Sequence, residues 1–280
     1  MSRRPTHPVR LFASTLAAGA LLTTAACSDD GGPSAADTAA ERAGSASAAA
    51  REAAEPVTGT SPSPAALTEA GAKAALITEG DIEDQWNQVP DAGKWRDTML
   101  VGKVDVADFL TAKSQAADCQ RLLDGLYTED LLGKPSGPSA VTGFEQGESR
   151  LLEQVAAYDR GKLDDALKWL GSLPDACDQF TATDSSGGKR TVQVTESSVP
   201  DVGDARQGVH VSVRGTSAGT PTTLTLDVAV VRVGTDALTV TGGGLSGGET
   251  DAVHQAAQQG TERLQTVLAG RTPSPHPPTD

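Results

Sequence analysis

Between Gln179 and Thr241 the chain reads as a run of strand segments with no room between them for a crossover, and that pattern limits the fold more than any other feature. QFTATD (179–184) and RTVQVTES (190–197) flank SSGGK, a hairpin signal. GVHVSVRG alternates Val209, Val211 and Val213 with His210, Ser212 and Arg214. TLTLDVAVVRV follows a Gly-containing loop, and ALTVT follows GTD. Parallel neighbours need a connection of about a dozen residues or more, so these successive strands are expected to pair antiparallel. A last helix over about Thr250–Leu268 carries Val253, Ala256, Ala257, Gly260, Leu264 and Val267 on one face, with small residues that let it lie close on a sheet. The expected class is α+β, an antiparallel sheet with packed helices, preceded by a disordered tether.

Upstream, LTEAGAKAALI reads as a short helix, and Thr78 and Asp81 in TEGD can cap another turn leading to Trp86. AADCQRLLDGLY places Cys119, Leu122, Leu123 and Leu126 on one helical face. GKLDDALKWLGSL does the same with Leu163, Ala166, Leu167 and Leu170, and is expected to end at Pro174, just before Cys177. AVTGFEQ and SRLLEQVAAY between these helices read as strands. Residues 67–270 are thus expected to form one domain, which is enough chain for one compact core.

The first residues have another character. MSRRPTHPVR holds three Arg and no acid, and the run from Leu11 to Ala26 is uncharged up to Cys27. A basic region, an apolar region and a small-residue end are the parts of an exported signal peptide, expected over 1–26. The run is shorter than the roughly 20 residues of a spanning helix. Ala25-Ala26-Cys27 resembles the lipobox of bacterial lipoproteins, in which the Cys thiol takes a diacylglycerol before cleavage; Thr24 stands where that box prefers Leu. Cys27 is therefore the expected lipidation site, which implies a membrane partner through the lipid and a location on the outer face of the cell membrane. The other reading is an ordinary secretory signal.

Residues 27–66 are almost wholly Ala, Ser, Gly, Pro and charge, too poor in large apolar groups to offset the entropy of ordering. As a flexible coil this tether would hold the domain about 35 Å from its anchor. Residues 271–280, with His276, form a second low-complexity end. With Cys27 assigned to lipid, Cys119 and Cys177 remain as a pair in an exported chain, and a disulfide between them is expected to add about 4 kcal/mol. Two free thiols or a metal pair is the weaker alternative, because no His or further Cys stands at a zinc-ligand spacing. Removing the signal takes three Arg from a net charge of −14 and leaves −17. A surface this acidic repels phosphate backbones, and with aromatics at 3% there is no stacking platform, so nucleic acid is not an expected partner.

The motif that most invites a chemical reading is TVTGGGLSGGETDAVH. Gly242, Gly244 and Gly247 satisfy G-x-G-x-x-G, and Gly244, Ser246 and Gly248 satisfy G-x-S-x-G; both motifs need a strand-turn-helix setting, and the local sequence agrees, with the Gly run as the turn. A dinucleotide site needs a parallel strand after the helix, and here a Pro-rich tail follows instead. A nucleophile elbow needs its acid and base after the Ser, and only His254 and His276 follow. His254 falls off the apolar stripe with Gln258 and Glu262 and reads as a solvated residue. His210 falls on the polar side of its strand with no acid placed beside it by sequence. Asp81/Glu83/Asp84, Asp164/Asp165 and Asp201/Asp204 lack a calcium-loop pattern and read as solvated faces. Trp86, Trp95 and Trp169 either line a groove or fill the core. No catalytic residue, cofactor site or metal site is expected, and Ser246 hydrolase chemistry is the least favoured alternative.

The layout also resembles a known group. A tethered domain that opens with a helix and an L-x-T-x-x-D-I turn (Leu76, Thr78, Asp81, Ile82), a Cys in a helix, Cys177 before a strand pair, the DVAVVRVGTDALTVTGGG hairpin and a last amphipathic helix are similar to actinobacterial lipoproteins with the PknH-like extracellular sensor domain. The resemblance covers about 67–270. It implies a sensor-like or ligand-binding domain with a cleft, no catalysis of its own, and a small ligand or an envelope protein as partner. The other expected class is a structural or interaction module of the cell envelope.

Overall fold

The computed structural model describes residues 66–82, 86–90, 92, 95, 104–105, 113–184, 187–217, 219–245 and 247–274, all within the unit Gly59–Asp280. Helix α1 (Glu69–Ala75) and a 3-10 turn (Glu79–Asp81) come first, then strands β1 (Asn87–Val89) and β2 (Val104–Asp105) and helix α2 (Lys113–Gly125). The hairpin β3 (Ser139–Gln146) and β4 (Ser149–Ala157) leads to α3 (Arg160–Ala176). The chain then runs through β5 (Gln179–Asp184), β6 (Lys189–Glu196), β7 (Ala205–Ser217), β8 (Thr220–Val233), β9 (Asp236–Gly244) and α4 (Thr250–Leu268). The strands form one antiparallel sheet in the order β1-β3-β4-β9-β8-β7-β6-β5-β2. The architecture is α+β.

The five strand segments expected between Gln179 and Thr241 do run as successive antiparallel neighbours, β5 to β9. Their tight turns set the register. Gly234 takes φ 65 in the β8–β9 turn and Gly147 takes φ 58 in the β3–β4 turn, a conformation that costs Gly little. Three neighbouring pairs are non-sequential, β1 with β3, β2 with β5 and β9 with β4, the last placing Val155 opposite Leu238 and Leu151 opposite Gly242.

Helices cover both faces of the sheet, and β8 shows why. Its run DVAVV does not alternate: Val228 and Val230 join the core under α2 and α3, while Ala229 and Val231 join the core under α1 and α4. A strand buried on both sides needs apolar residues at consecutive positions. β9 is buried along its whole length for the same reason. Helix α4 turns Val253, Ala256, Ala257, Gly260 and Leu264 inward. A Cβ at Gly260 would crowd Leu238 and overlap Glu153, so this position allows the helix its close approach.

Two expectations need correction. α3 does not stop at Pro174 but continues to Ala176, with Cys177 N donating to Leu173 O at 2.7 Å. A proline this near the C-terminal end removes a single helical bond and leaves the turn intact. The Gly242–Gly244 run is not a turn but the end of β9, paired with β4 on one side and β8 on the other. Side chains there would collide with Val253 at Gly242, with the Thr225 carbonyl at Gly243 and with the Glu148 carbonyl at Gly244.

Cys119 in α2 and Cys177 after α3 are joined as a disulfide, with Cα atoms 5.7 Å apart and both residues fully buried. Nearby, the Arg121 guanidinium lies 3.8 Å over the Trp169 ring. Trp86, Trp95 and Trp169 are all buried and supply core volume. No helix of the described residues is long and apolar enough to cross a membrane. Cys27, the 1–26 signal and nearly all of the 27–66 tether lie outside the described residues, as do Glu83, Asp84, Ser246 and His276.

Candidate functional site

The cleft begins where α2 ends. Gly125 faces Leu131 so closely that a Cβ would crowd its backbone, and the chain turns away there. Tyr127 follows with φ 54, the one non-Gly residue with positive φ among the described residues. Such a conformation persists only when its surroundings hold it. Here the phenol donates to Arg150 O at 3.1 Å and Gly243 O at 3.3 Å, and Trp95 meets the ring edge-on at 5.9 Å.

Residues 128–130 then form a short wall. The Thr128 hydroxyl donates to Gly125 O at 2.9 Å and accepts from Asp130 N at 3.2 Å. Gln154 on β4 donates through Nε2 to Glu129 O at 2.8 Å and to the Ser139 hydroxyl at 3.2 Å, fixing the wall to the sheet. The opposite wall is Val89 and Pro90 with Ala92; Gln88 donates to Thr142 Oγ1 at 2.9 Å and ties β1 to β3. Val141, Gly143 and Leu152 line the cleft from the sheet. Its volume is about 610 Å³, within the usual range for small-molecule sites.

Among the described residues the charge in this cleft has one sign. Glu129 and Asp130 are its charged lining residues. Their field reaches inward: burial first, then the Asp130 and Glu129 charges, push the Tyr158 phenol above its ordinary titration range.

A second cluster sits at the N-terminus of α4. The β7–β8 register places Asp227 directly opposite His210, and Asp227 Oδ1 lies 2.8 Å from His210 Nδ1. Thr250 donates to Asp227 Oδ2 at 2.9 Å, and the Ser197 hydroxyl reaches Oδ1 at 3.4 Å. Asp227 is 2% exposed; burial raises its pKa, but the bonds from His210, Thr250 and Ser197 outweigh this and leave it lowered. His210 is raised, mainly by its bond to Asp227, against the effect of burial. Gly248 lies over the pair, with room for no more than a hydrogen beside Asp227 Oδ2.

The expectation that His210 has no acid beside it is therefore corrected. The S-A-G-T turn between β7 and β8 carries the missing signal: counting outward from it pairs 210 with 227. The raised His210 stabilises the fold below its unfolded pKa of about 6.5 and loses that effect as pH rises through its folded value. His210→Ala is expected to cost about 1 kcal/mol at pH 5 and less at pH 8, the half-exposed ring being screened by solvent. Urea midpoints at the two pH values measure this.

His254 is half-buried rather than freely solvated, with Nε2 2.7 Å from Ser198 O. Of the acidic groups read as solvated faces, Asp81 is instead buried. Its Oδ2 accepts from Thr78 N and Oγ1 at 2.8 Å and lies 3.3 Å from Arg263 Nη1. Asp164 meets Arg232 at 3.6 Å, while Asp204 is exposed, as read, and accepts from Gly234 N at 2.6 Å. Asp165 and Asp201 remain on the surface, near Lys168 and Arg206. At Asp81 and Asp164 an arginine from a distant segment, invisible to local reading, adds to what the local sequence shows. No group of three or more His, Cys, Asp or Glu among the described residues is placed to hold a metal ion.

Among solved structures, the chain is similar to the extracellular domain of PknH from Mycobacterium tuberculosis. The identity is 16%, over 72% of this chain and 98% of that one, with a TM-score of 0.42. No protein-family model matches the chain, and no curated protein sequence matches it.

Proposed function

We propose that this chain is a lipoprotein on the outer face of the cell membrane, anchored through Cys27, whose domain binds a small ligand in the Tyr127 cleft as a sensor-like module without catalysis of its own. The observation that carries the ligand-binding reading is the cleft: about 610 Å³, floored by the sheet and walled by a hydrogen-bonded loop. The anchoring rests on the small-residue run before Cys27. Thermal-shift screening against cell-wall fragments, lipids and metal ions tests the first part, with a rise in midpoint expected for one small-molecule class. A screen without any shift, together with an envelope protein that co-purifies, would favour the interaction module. Fractionation tests the second part: wild type is expected in the membrane fraction and Cys27→Ala in the medium, and release of both would defeat lipidation.

One observation favours a second reading, hydrolysis through Ser246. His210 and Asp227 form a paired base and acid next to Gly248, two residues along the chain from Ser246. An Asp on Nδ1 orients a histidine as a base toward a serine. Labelling by a fluorophosphonate that disappears in both Ser246→Ala and His210→Ala would establish it; an unlabelled wild type would dismiss it.

A further inference from the structure

We infer that the Tyr127 cleft selects an organic cation, a small molecule with an apolar body and a protonated amine. The inference rests on the ligand-binding reading above and narrows it to a chemical class. Apolar contact comes from Val89, Pro90, Ala92, Val141 and Leu152. The charge comes from Glu129 and Asp130, and no Lys or Arg lines the cleft among the described residues. Among the described residues, neither carboxylate is in an ion pair.

An independent observation points the same way. Gln154, the cross-strand partner of Val141, is buried, and its Oε1 has no hydrogen-bond partner among the described residues. Its Nε2 is already spent on Glu129 O and Ser139, so the amide's unmet need is for a donor. A buried acceptor left unpaired is costly. An ammonium group is a cation with three donors, which suits two carboxylates and a bare carbonyl oxygen; an anion would bring the wrong charge and no donor. The chain as a whole, at −14, repels anions further.

Three probes of matched body and different charge test this by NMR titration of the full chain: 2-phenylethylammonium, 2-phenylethanol and 3-phenylpropanoate. The ammonium probe is expected to shift the amides of Thr128, Glu129 and Asp130, to bind about tenfold tighter than the alcohol, and to weaken as salt rises. 3-Phenylpropanoate is expected to leave those amides in place. The double variant Glu129→Gln/Asp130→Asn, at surface positions that do not threaten folding, should remove the tenfold preference and leave the alcohol unaffected. If the alcohol or the carboxylate binds as well as the ammonium, or the double variant binds the ammonium unchanged, the cation inference falls while the ligand-binding reading stands. If no probe moves the 128–130 amides, and Val141→Trp, which fills the floor, leaves the thermal-shift hits unchanged, both fall.

Discussion

Replacing Cys119 and Cys177 together by alanine will lower the thermal midpoint of the domain by about 10 °C. The bond closes a loop between residues 58 apart in sequence, and on a chain-entropy basis that constraint on the unfolded state amounts to about 4 kcal/mol. For a domain of about 200 residues, each kcal/mol moves the midpoint by about 2–4 °C. Alanine is the better replacement, because serine would put two hydroxyls into a fully buried site and add a desolvation cost unrelated to the cross-link. Reduced wild type should melt close to the double variant. A fall of less than about 3 °C would show that the unfolded chain gains little from release. The consequence reaches the cleft. α2 carries Cys119 near its middle and leads at its end into Tyr127 and the 128–130 wall. Loosening the helix should therefore weaken ligand-induced shifts before the domain unfolds, seen as faster hydrogen exchange at residues 126–130.

The parts of the fold legible in sequence were those governed by local periodicity. β7 shows its alternation, β5 and β6 their hairpin signal, β8 an apolar run after a Gly-containing loop, and α4 its single apolar stripe. β9 was harder. Its glycine run looked like a loop because glycine is poor in isolated strands, whereas here it is required by carbonyl groups and Val253 pressing on the strand from neighbouring elements. β1 and β2, at three and two residues, are too short to show a period, and they exist because β3 and β5 offer them edges. The candidate site was less legible than the fold. Nothing in Tyr127-Thr128-Glu129-Asp130 distinguishes a cleft wall from an ordinary helix end, since its function depends on Gln154, Arg150 and Gly243 brought from other strands. Asp227 was hidden inside an apolar strand and found its meaning only through register with His210.

The other large effect is expected at Glu153, a carboxyl with no exposed surface beneath α4. Its Oε2 accepts from Ile77 N at 2.7 Å, while Oε1 faces Gly260 without a hydrogen-bond partner among the described residues. Burial is the dominant influence and raises its pKa; the Ile77 bond and the Arg263 charge oppose it, Asp81 adds to it, and the result is a carboxyl pushed up to about 8. The folded state thus binds a proton that the unfolded chain releases near its ordinary value of 4.5. Stability is accordingly greatest below about 4.5 on this account, falls as pH rises toward about 8, and levels off above it, by at most about 5 kcal/mol. Glu153→Gln keeps an oxygen for Ile77 N but cannot ionise, so its stability should be nearly flat over the same range. At pH 5 the variant should match wild type within about 1 kcal/mol, and at pH 9 it should be the more stable by several. His210 slopes in the same direction but is present in both proteins, so the difference between the two urea curves isolates Glu153. Parallel curves from pH 5 to 9 would mean that Glu153 keeps its charge when buried. The Arg263 guanidinium, already donating to Leu76 O at 2.7 Å and Ala74 O at 3.1 Å, would then be the group that holds it ionised, and Arg263→Met should expose the pH dependence that the native chain conceals.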